Sequence, residues 1–217
     1  RDMIDLKDLG TFESVPEIVV DIVKGNIVAL ENALADGWDI HKPIQLGKHS
    51  EYSPLELALV MNCLPSVQWL VEHEANLNEK ENPSFLLAVR YGNKELIDYI
   101  VAKGANIHAL NRVKVDAFQA ALYGKKYENL QQIHDLGHTV QKYGGKAFRN
   151  AITDNNYKVL DFFVHSGVDI NYNKPDSVYP FKPTPLCVAA RYVDLQMCKY
   201  LVEHGADVTI TEKDGMR

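Results

Sequence analysis

Apolar residues recur along this chain at the spacing of amphipathic helices. Leu96, Ile97, Ile100 and Val101 are spaced so that all four share one face of a helix. Near the start, charged residues interrupt the apolar run from Val15 to Leu34, which predicts a pair of amphipathic helices rather than a signal peptide. No stretch approaches the roughly 18 consecutive apolar residues of a transmembrane helix, so we expect no membrane span.

A short segment, usually centred on glycine, follows these helical stretches six times. Its central residue stands at Gly37, Glu74, Gly104, Gly137, Gly167 and Gly205. The successive spacings are 37, 30, 33, 30 and 38 residues. A period of this size predicts an array of structural repeats, each too small to bury its own apolar face.

A second motif precedes the last five of these segments. Sixteen residues before each central residue there is an alanine, at Ala58, Ala88, Ala121, Ala151 and Ala189. Three residues before each alanine there is an apolar residue, at Leu55, Phe85, Phe118, Phe148 and Leu186. The segments 53–58 and 184–189 resemble the T-P-L-H-x-A motif of the ankyrin-repeat family. Glu56 and Cys187 replace the family's histidine, so the resemblance depends on the pattern and not on that residue.

The resemblance implies an all-α fold, an ankyrin-repeat solenoid of stacked helix-turn-helix units with protruding hairpin loops. We expect residues 1–15 to be an N-terminal extension and residues 16–217 to be a single ankyrin-repeat domain. About six repeats are predicted, at 16–41, 53–79, 83–109, 116–141, 146–171 and 184–210. The segment from Thr209 to Gly215 resembles the start of a further repeat, so we expect the array to be truncated at its C-terminus.

Local sequence predicts where these helices begin and end. Ser53, Asp116 and Thr184 have side-chain oxygens that can cap a helix N-terminus. The glycines at the centre of the repeated segment can end the preceding helix in the left-handed conformation. Glu74 occupies the same position without that freedom, so it should be strained or should end its helix differently. The second helix of the fourth repeat contains the polar residues Gln131 and His134, which predicts a locally less stable part of the array.

Two connections between repeats are unusually long, at about 42–52 and 172–183. In ankyrin proteins such connections form protruding fingers, and long proline-containing loops are often functional. The alternative is that they are insertions that a protein surface tolerates.

Composition removes several other classes of function. A net charge of −6 argues against nucleic acid as a partner. Three cysteines without framework spacing favour a reducing compartment, so we expect a cytoplasmic protein. His134 and His138 have the spacing of helical metal ligands, but Gly137 should end the helix between them. We therefore predict no catalytic residue, no metal and no organic cofactor, and we predict a monomer.

The leading hypothesis is a scaffold that binds a partner protein. In the ankyrin family, contacts are made by the first helix of each repeat and by the hairpin loops. Those positions here are rich in tyrosine and arginine, which are common at interface hot spots. The predicted contact residues are Tyr52, Met61, Arg90, Tyr91, Tyr123, Tyr143, Tyr172, Tyr179, Phe181, Arg191 and Tyr192.

Two alternatives remain open at this point. The array can be an inhibitor or immunity-type protein that covers the active site of an enzyme or toxin, and its acidic charge suits a basic partner of that kind. It can also be the targeting module of a longer enzyme. Neither the identity of the partner nor the choice among these roles follows from the sequence.

Overall fold

Short helices, most of them in consecutive pairs, make up nearly all of the regular structure in residues 15–211, the part of the chain that the computed structural model describes. Up to residue 129 they are α1 (Glu17–Lys24), α2 (Ile27–Ala35), α3 (Pro54–Val60), α4 (Leu64–Glu72), α5 (Ser84–Tyr91), α6 (Lys94–Ala102) and α7 (Ala117–Tyr123), with a 3-10 turn at Tyr127–Asn129. From residue 130 they are α8 (Leu130–Asp135), α9 (Val140–Tyr143), α10 (Gly145–Ala151), α11 (Tyr157–His165), α12 (Pro185–Tyr192) and α13 (Leu195–Glu203), with a 3-10 turn at Ile152–Asp154.

The chain divides into two compact units, one ending at Asn129 and the other beginning at Leu130. The division falls inside the fourth predicted repeat, whose second helix α8 is only six residues long. The prediction of a single domain over 16–217 stays a prediction. The predicted N-terminal extension, apart from Val15, and most of the predicted further repeat beginning at Thr209 lie outside the described residues.

Unit 1 has two layers of helices. The first helices of successive repeats, α1, α3, α5 and α7, pack side by side, and the second helices α2, α4 and α6 form a parallel row against them. Both predicted helices in the run from Val15 to Leu34 are present, and their residues Val19, Ile22 and Leu30 are buried. The repeated alanine is fully buried at 58, 88 and 121, where its small side chain lets neighbouring helices approach.

The predicted helix starts are confirmed. Ser53 and Asp116 each form a capping box with the residue three positions later, Glu56 and Gln119 respectively. In unit 2 the Thr184 hydroxyl accepts a hydrogen bond from the backbone N–H of Cys187. These caps satisfy backbone donors that have no partner inside the helix.

The predicted helix ends are confirmed as well. Gly104, Gly137, Gly167 and Gly205 are all left-handed, with φ between 89° and 112°. Glu74 takes the same conformation with φ 69°, which an L-residue with a side chain adopts only at a cost. The strain predicted at this position is therefore present.

The first long connection folds into a small antiparallel hairpin. Strands β1 (Ile44–Leu46) and β2 (Ser50–Tyr52) pair with Ile44 opposite Tyr52. Its inner residues Leu46 and Tyr52 are buried, so the hairpin is anchored to unit 1 rather than free in solvent. This hairpin matches the protruding loop expected of an otherwise helical repeat fold.

Unit 2 repeats the same plan over fewer helices. Helix α10 packs on α11 and α12, and α12 packs on α13. The core between α10 and α11 contains Phe148 and Phe163, whose rings meet edge to face with centroids 6.0 Å apart. The second long connection, 172–183, contains no regular structure, and a buried arginine described below holds it in place.

Candidate functional site

A pocket in unit 1 is lined by two of the predicted contact residues, Arg90 and Tyr123, and a third, Tyr91, lies beside Arg90. Arg90 and Tyr91 end helix α5, and Tyr123 ends helix α7. The guanidinium carbon of Arg90 lies 5.1 Å from the centroid of the Tyr91 ring and 5.9 Å from that of Tyr123. Both distances are within the range of a cation–π interaction, so the two rings hold the arginine side chain at the pocket wall.

Gly124 makes this approach of α7 to α5 possible. A Cβ built at Gly124 would lie 1.9 Å from the carbonyl oxygen of Arg90, which is far inside van der Waals contact. Only glycine fits here without moving one helix against the other. The arrangement of Tyr123 over Arg90 therefore depends on a residue that contributes no side chain of its own.

The pocket has a volume of about 390 Å³ and opens between two loops that connect repeats. We call it the Arg90 pocket. It is lined by Glu81, Asn82, Pro83, Leu86, Leu87, Arg90, Asn111, Arg112, Val113, Val115, Ala120 and Tyr123. This volume is near the lower end of the range for small-molecule sites and is enough for one or two amino-acid side chains.

Side-chain hydrogen bonds and an ion pair shape the loops on either side. Asn111 Oδ1 accepts from the backbone N–H groups of Val113 and Val115, which turns the second loop back on itself. Across the opening, Arg112 Nη2 lies 3.1 Å from Glu81 Oε1, and both side chains are largely exposed. The pocket rim therefore carries one neutralised pair.

Arg90 itself has a different electrostatic setting. Its Nε is buried and donates no hydrogen bond within the described residues. In the same part of the chain no carboxylate forms an ion pair with its guanidinium group, which lies beside the two tyrosine rings. Among the charged side chains that line this pocket, Arg90 is thus the one without an ion-pair partner in the described residues.

A second arginine on a first helix, Arg149 in unit 2, has the partner that Arg90 lacks. Arg149 on α10 is completely buried, and its Nη2 lies 2.8 Å from Oδ2 of Asp176 in the long connection. Its Nη1 donates to the carbonyl oxygen of Pro183 at 3.0 Å. The rings of Tyr172 and Tyr179 lie 4.8 and 5.2 Å from its guanidinium carbon. We call these five residues the Arg149 cluster.

The Arg149 cluster fastens the connection 172–183 onto unit 2. Asp176 Oδ1 also accepts from the backbone N–H groups of Val178 and Tyr179, so one carboxylate holds both the arginine and the loop. Burial raises the pKa of the Tyr179 hydroxyl. A Cβ at Gly145 would lie 2.3 Å from Cδ2 of Tyr172, so this ring also packs where only glycine fits.

The sequence analysis missed Arg149 and Asp176, although a signal for Arg149 was present. Arg149 occupies the histidine position of the T-P-L-H-x-A motif, as Glu56 and Cys187 do in their repeats. Glu56 Oε2 accepts from Asn82 of the next loop, and the Cys187 thiol lies 3.9 Å from the carbonyl oxygen of Ile210. This position repeatedly ties a helix to a following loop, and a comparison across repeats would have singled out its arginine.

Several predicted contact residues offer little surface. Tyr52 is 3% exposed beneath the hairpin, and Tyr179 is 7% exposed in the Arg149 cluster. Tyr143 is half-buried and stacks on His138 with ring centroids 4.2 Å apart, and Met61 is half-buried at the end of α3. A side chain buried inside its own protein contributes shape and support to a binding face more than direct contact.

A second exposed cluster remains on unit 2. Arg191 lies over the rings of Phe181 and Tyr192, at 5.2 and 5.7 Å from their centroids. Tyr192 is 54% exposed, and its ring also lies 6.4 Å from that of Tyr179. These three predicted residues therefore present an accessible surface beside the Arg149 cluster.

Three of the eight histidines make hydrogen bonds to the backbone near helix ends. His73 and His204, at the same repeat position, each place Nδ1 2.7 Å from the carbonyl oxygen four residues earlier. His134 Nδ1 accepts from the backbone N–H of Val140, and α8 ends before Gly137 as expected. In residues 15–211 no three His, Cys, Asp or Glu side chains converge as a metal site would require. No helix in that range is both long and apolar enough to span a membrane.

Comparisons with known proteins agree on one family. A family model for "Ankyrin repeat" matches residues 184–213. The chain is 36% identical over 94 residues to mouse "RelA-associated inhibitor" and 32% identical over 96 residues to rat "Ankyrin repeat and SAM domain-containing protein 6". Each match covers 42% of this chain but only 11% and 10% of those proteins, so the chain matches about a tenth of their length.

A solved structure shows the same fold over nearly the whole chain. The human ASB11 ankyrin repeat domain superimposes with a TM-score of 0.68, covering 93% of this chain and 89% of that one. The sequences are 16% identical, so this likeness concerns the fold alone.

Proposed function

Since this chain is an ankyrin-repeat protein, we propose that it is a scaffold that binds a partner protein through the first helices of its repeats and the loops beside them. Ankyrin repeats are in general protein-interaction modules. The observation that carries the proposal for this chain is the Arg90 pocket, a cavity of about 390 Å³ that is lined by Arg90 and Tyr123 among others, with the Tyr91 ring beside Arg90.

Exposed apolar side chains are found within each unit at loops and ends of first helices. In unit 1 they are Leu110, Val113 and Tyr123, and in unit 2 they are Val178, Tyr192 and Val208; Val28, Tyr127, Leu195 and Val202, on or beside second helices, are exposed as well. Exposed apolar surface costs free energy in water, and burial against a partner recovers it. Tyrosine and arginine among these residues add polar tips that can be satisfied at an interface.

A specific observation also favours the inhibitor alternative. The relative with the highest identity above is named as an associated inhibitor. If this chain inhibits an enzyme, the partner should lose activity when the complex forms, whereas a scaffold should leave that activity unchanged. Ankyrin-repeat relatives are generally non-enzymatic.

The test begins with a partner isolated from native lysate and identified by mass spectrometry. Calorimetry then compares wild type with single alanine variants at Tyr91, Tyr123, Arg191 and Tyr192. Substitution of the exposed residues Tyr123 and Tyr192 should each weaken partner binding by about 1 kcal/mol or more. Tyr127→Ala is the matched control, since Tyr127 is 43% exposed against 55% for Tyr123 but does not line the pocket. Equal affinities for all variants would contradict the proposed face.

A further inference from the structure

The uncompensated charge of Arg90 indicates what the Arg90 pocket binds. Resting on the function proposed above, we infer that Arg90 anchors an Asp or Glu side chain of the partner, in a peptide segment where that acid stands next to an apolar residue. The net charge of −6 would by itself suggest a basic partner. The local chemistry of this pocket points the other way.

The first step of the argument is the state of the Arg90 side chain. Guanidinium groups carry five N–H donors and no acceptor, so they need oxygen partners where water is excluded. Arg90 Nε is already buried without an acceptor in the described residues. Its guanidinium carbon lies 5.1 and 5.9 Å from the centroids of the Tyr91 and Tyr123 rings, and these ring contacts leave its N–H donors for a partner.

The second step is a precedent inside the same chain. Arg149 has two tyrosine rings at similar distances and a buried Nε without a partner among the described residues, as Arg90 does, and its guanidinium group also pairs with the carboxylate of Asp176. Arg90 has the rings and lacks the carboxylate. A planar guanidinium and a carboxylate match in geometry, since two parallel N–H···O bonds can form between them.

The third step is the choice of anion. Glu81 lines the same pocket and is neutralised by Arg112, which leaves a single positive charge at Arg90. A carboxylate carries one negative charge and matches it, whereas a phosphate dianion would bring a second negative charge that this pocket does not neutralise. The charge arrangement therefore favours an acidic side chain.

The walls of the pocket specify the neighbour of that acid. Leu86, Val113 and Val115 line the cavity, and Val113 is 69% exposed. An aliphatic or aromatic side chain beside the acid would bury this surface. A volume of about 390 Å³ accommodates the two side chains together.

The experiment uses peptides as probes. A phage-displayed random peptide library is selected on the intact chain, and the tightest peptide is synthesised together with twins in which each Asp becomes Asn or each Glu becomes Gln. Calorimetry measures every peptide on wild type, Arg90→Gln, Arg90→Lys and Arg112→Gln. Arg112→Gln is the matched control because Arg112 lines the same pocket but is largely exposed and paired with Glu81.

One amide twin should bind wild type about tenfold more weakly, as expected for a lost charge-assisted hydrogen bond. On Arg90→Gln, the affinities of the acidic peptide and the same amide twin should differ by less than about twofold, because the partner of the carboxylate is already gone. Arg90→Lys keeps the charge but not the planar fork, so its affinity should be intermediate. Arg112→Gln should stay within about threefold of wild type, as for an exposed ion pair.

The possible failures separate the two proposals. If the selected peptide loses affinity with Tyr123→Ala but its amide twins bind as it does, the acidic anchor is overturned and the proposed face stands. If the affinity of every selected peptide is independent of both Arg90 and Tyr123, the anchor and the proposed face fall together. Thermal unfolding followed by circular dichroism checks that each variant is folded. If Arg90→Gln is unfolded, the comparison is made with Arg90→Lys instead.

Discussion

Two arginines in this chain, Arg90 in unit 1 and Arg149 in unit 2, occupy similar aromatic settings with opposite outcomes. Each lies about 5 to 6 Å from two tyrosine rings. Arg149 is completely buried and paired with Asp176, whereas Arg90 is half-buried at the wall of an open pocket. The difference comes from the connection 172–183, which supplies its own carboxylate and closes over Arg149.

The comparison shows that the same residue types can support structure or binding within one array. Counting tyrosines and arginines on a face does not distinguish the two, because Tyr179 is buried in the Arg149 cluster while Tyr123 remains 55% exposed. Both arginines have a buried Nε without a hydrogen-bond partner among the described residues, so what distinguishes them is whether the chain supplies a carboxylate to the guanidinium group. We infer that the arginine without a carboxylate marks the binding site.

The largest expected effect is on the Arg149 cluster. Asp176→Asn keeps an oxygen for the loop N–H groups but leaves Arg149 charged and unpaired, which should cost about 3–5 kcal/mol of unfolding free energy. Arg149→Met should cost a similar amount by stranding the carboxylate. The double variant should cost much less than the sum, since it leaves no buried charge.

Urea unfolding followed by circular dichroism measures these losses. Asp98→Asn is the control. The Lys94–Asp98 ion pair is as short as the Arg149–Asp176 pair, at 2.7 Å against 2.8 Å, but both of its side chains are exposed. That variant should lose less than about 0.5 kcal/mol. Equal losses for Asp176→Asn and Asp98→Asn would show that the Arg149 cluster does not hold the connection.

The repeat framework could be predicted from sequence because each of its features is local. A capping oxygen such as Ser53, a proline at the first helical turn and a glycine after the second helix act within a few residues of one another. The same reasoning identified Glu74 as a strained position, and its φ of 69° agrees.

The candidate site was only partly predictable, because its parts come from distant residues. Arg149 and Asp176 are 27 positions apart, and nothing in either local sequence specifies that they meet. Tyr52 lies in strand β2 and Tyr179 in the connection 172–183, and in such connections between repeats a tyrosine can face solvent or pack on the core; both are buried. Arg90, Tyr91 and Tyr123 were predicted because they follow the repeated alanine by two or three residues, which are positions where the ankyrin family makes contacts.

A smaller effect is expected from the glycines beside the two arginines. Gly124→Ala places a methyl group against the Arg90 carbonyl oxygen, so α7 must shift and stability should fall by about 1–3 kcal/mol. Gly145→Ala meets the Tyr172 ring, a side chain that can move, and should cost less. Urea unfolding of both variants tests this order, and a larger loss for Gly145→Ala would reverse it.

Replacing Arg90 itself should hardly change stability. Arg90→Gln removes contacts with two rings at the surface, worth about 0.5–1 kcal/mol, and no ion pair. The same substitution at Arg149 should cost several times more, because it strands buried Asp176. Tryptophan fluorescence reports on unit 1, where both tryptophans lie, and circular dichroism reports on the whole chain. A loss at Arg90 as large as that at Arg149 would break the distinction between the two sites.

The smallest expected effect is a dependence on alkaline pH that belongs to the Arg149 cluster. Burial raises the pKa of Tyr179, nearby Tyr192 raises it further, and Arg149 acts in the opposite direction. A tyrosine whose pKa is higher when folded than when unfolded favours the folded state fully below its ordinary pKa of about 10. That contribution is lost as the pH rises through the folded pKa, because the buried hydroxyl must then ionise.

Unfolding free energy should therefore fall above about pH 10, and it should fall less steeply in Tyr179→Phe, which cannot ionise there. Tyr123→Phe, at the exposed wall of the Arg90 pocket, is the matched comparison and should leave the wild-type slope unchanged. Parallel pH profiles for wild type and Tyr179→Phe would mean that this hydroxyl is not desolvated by the loop that covers it.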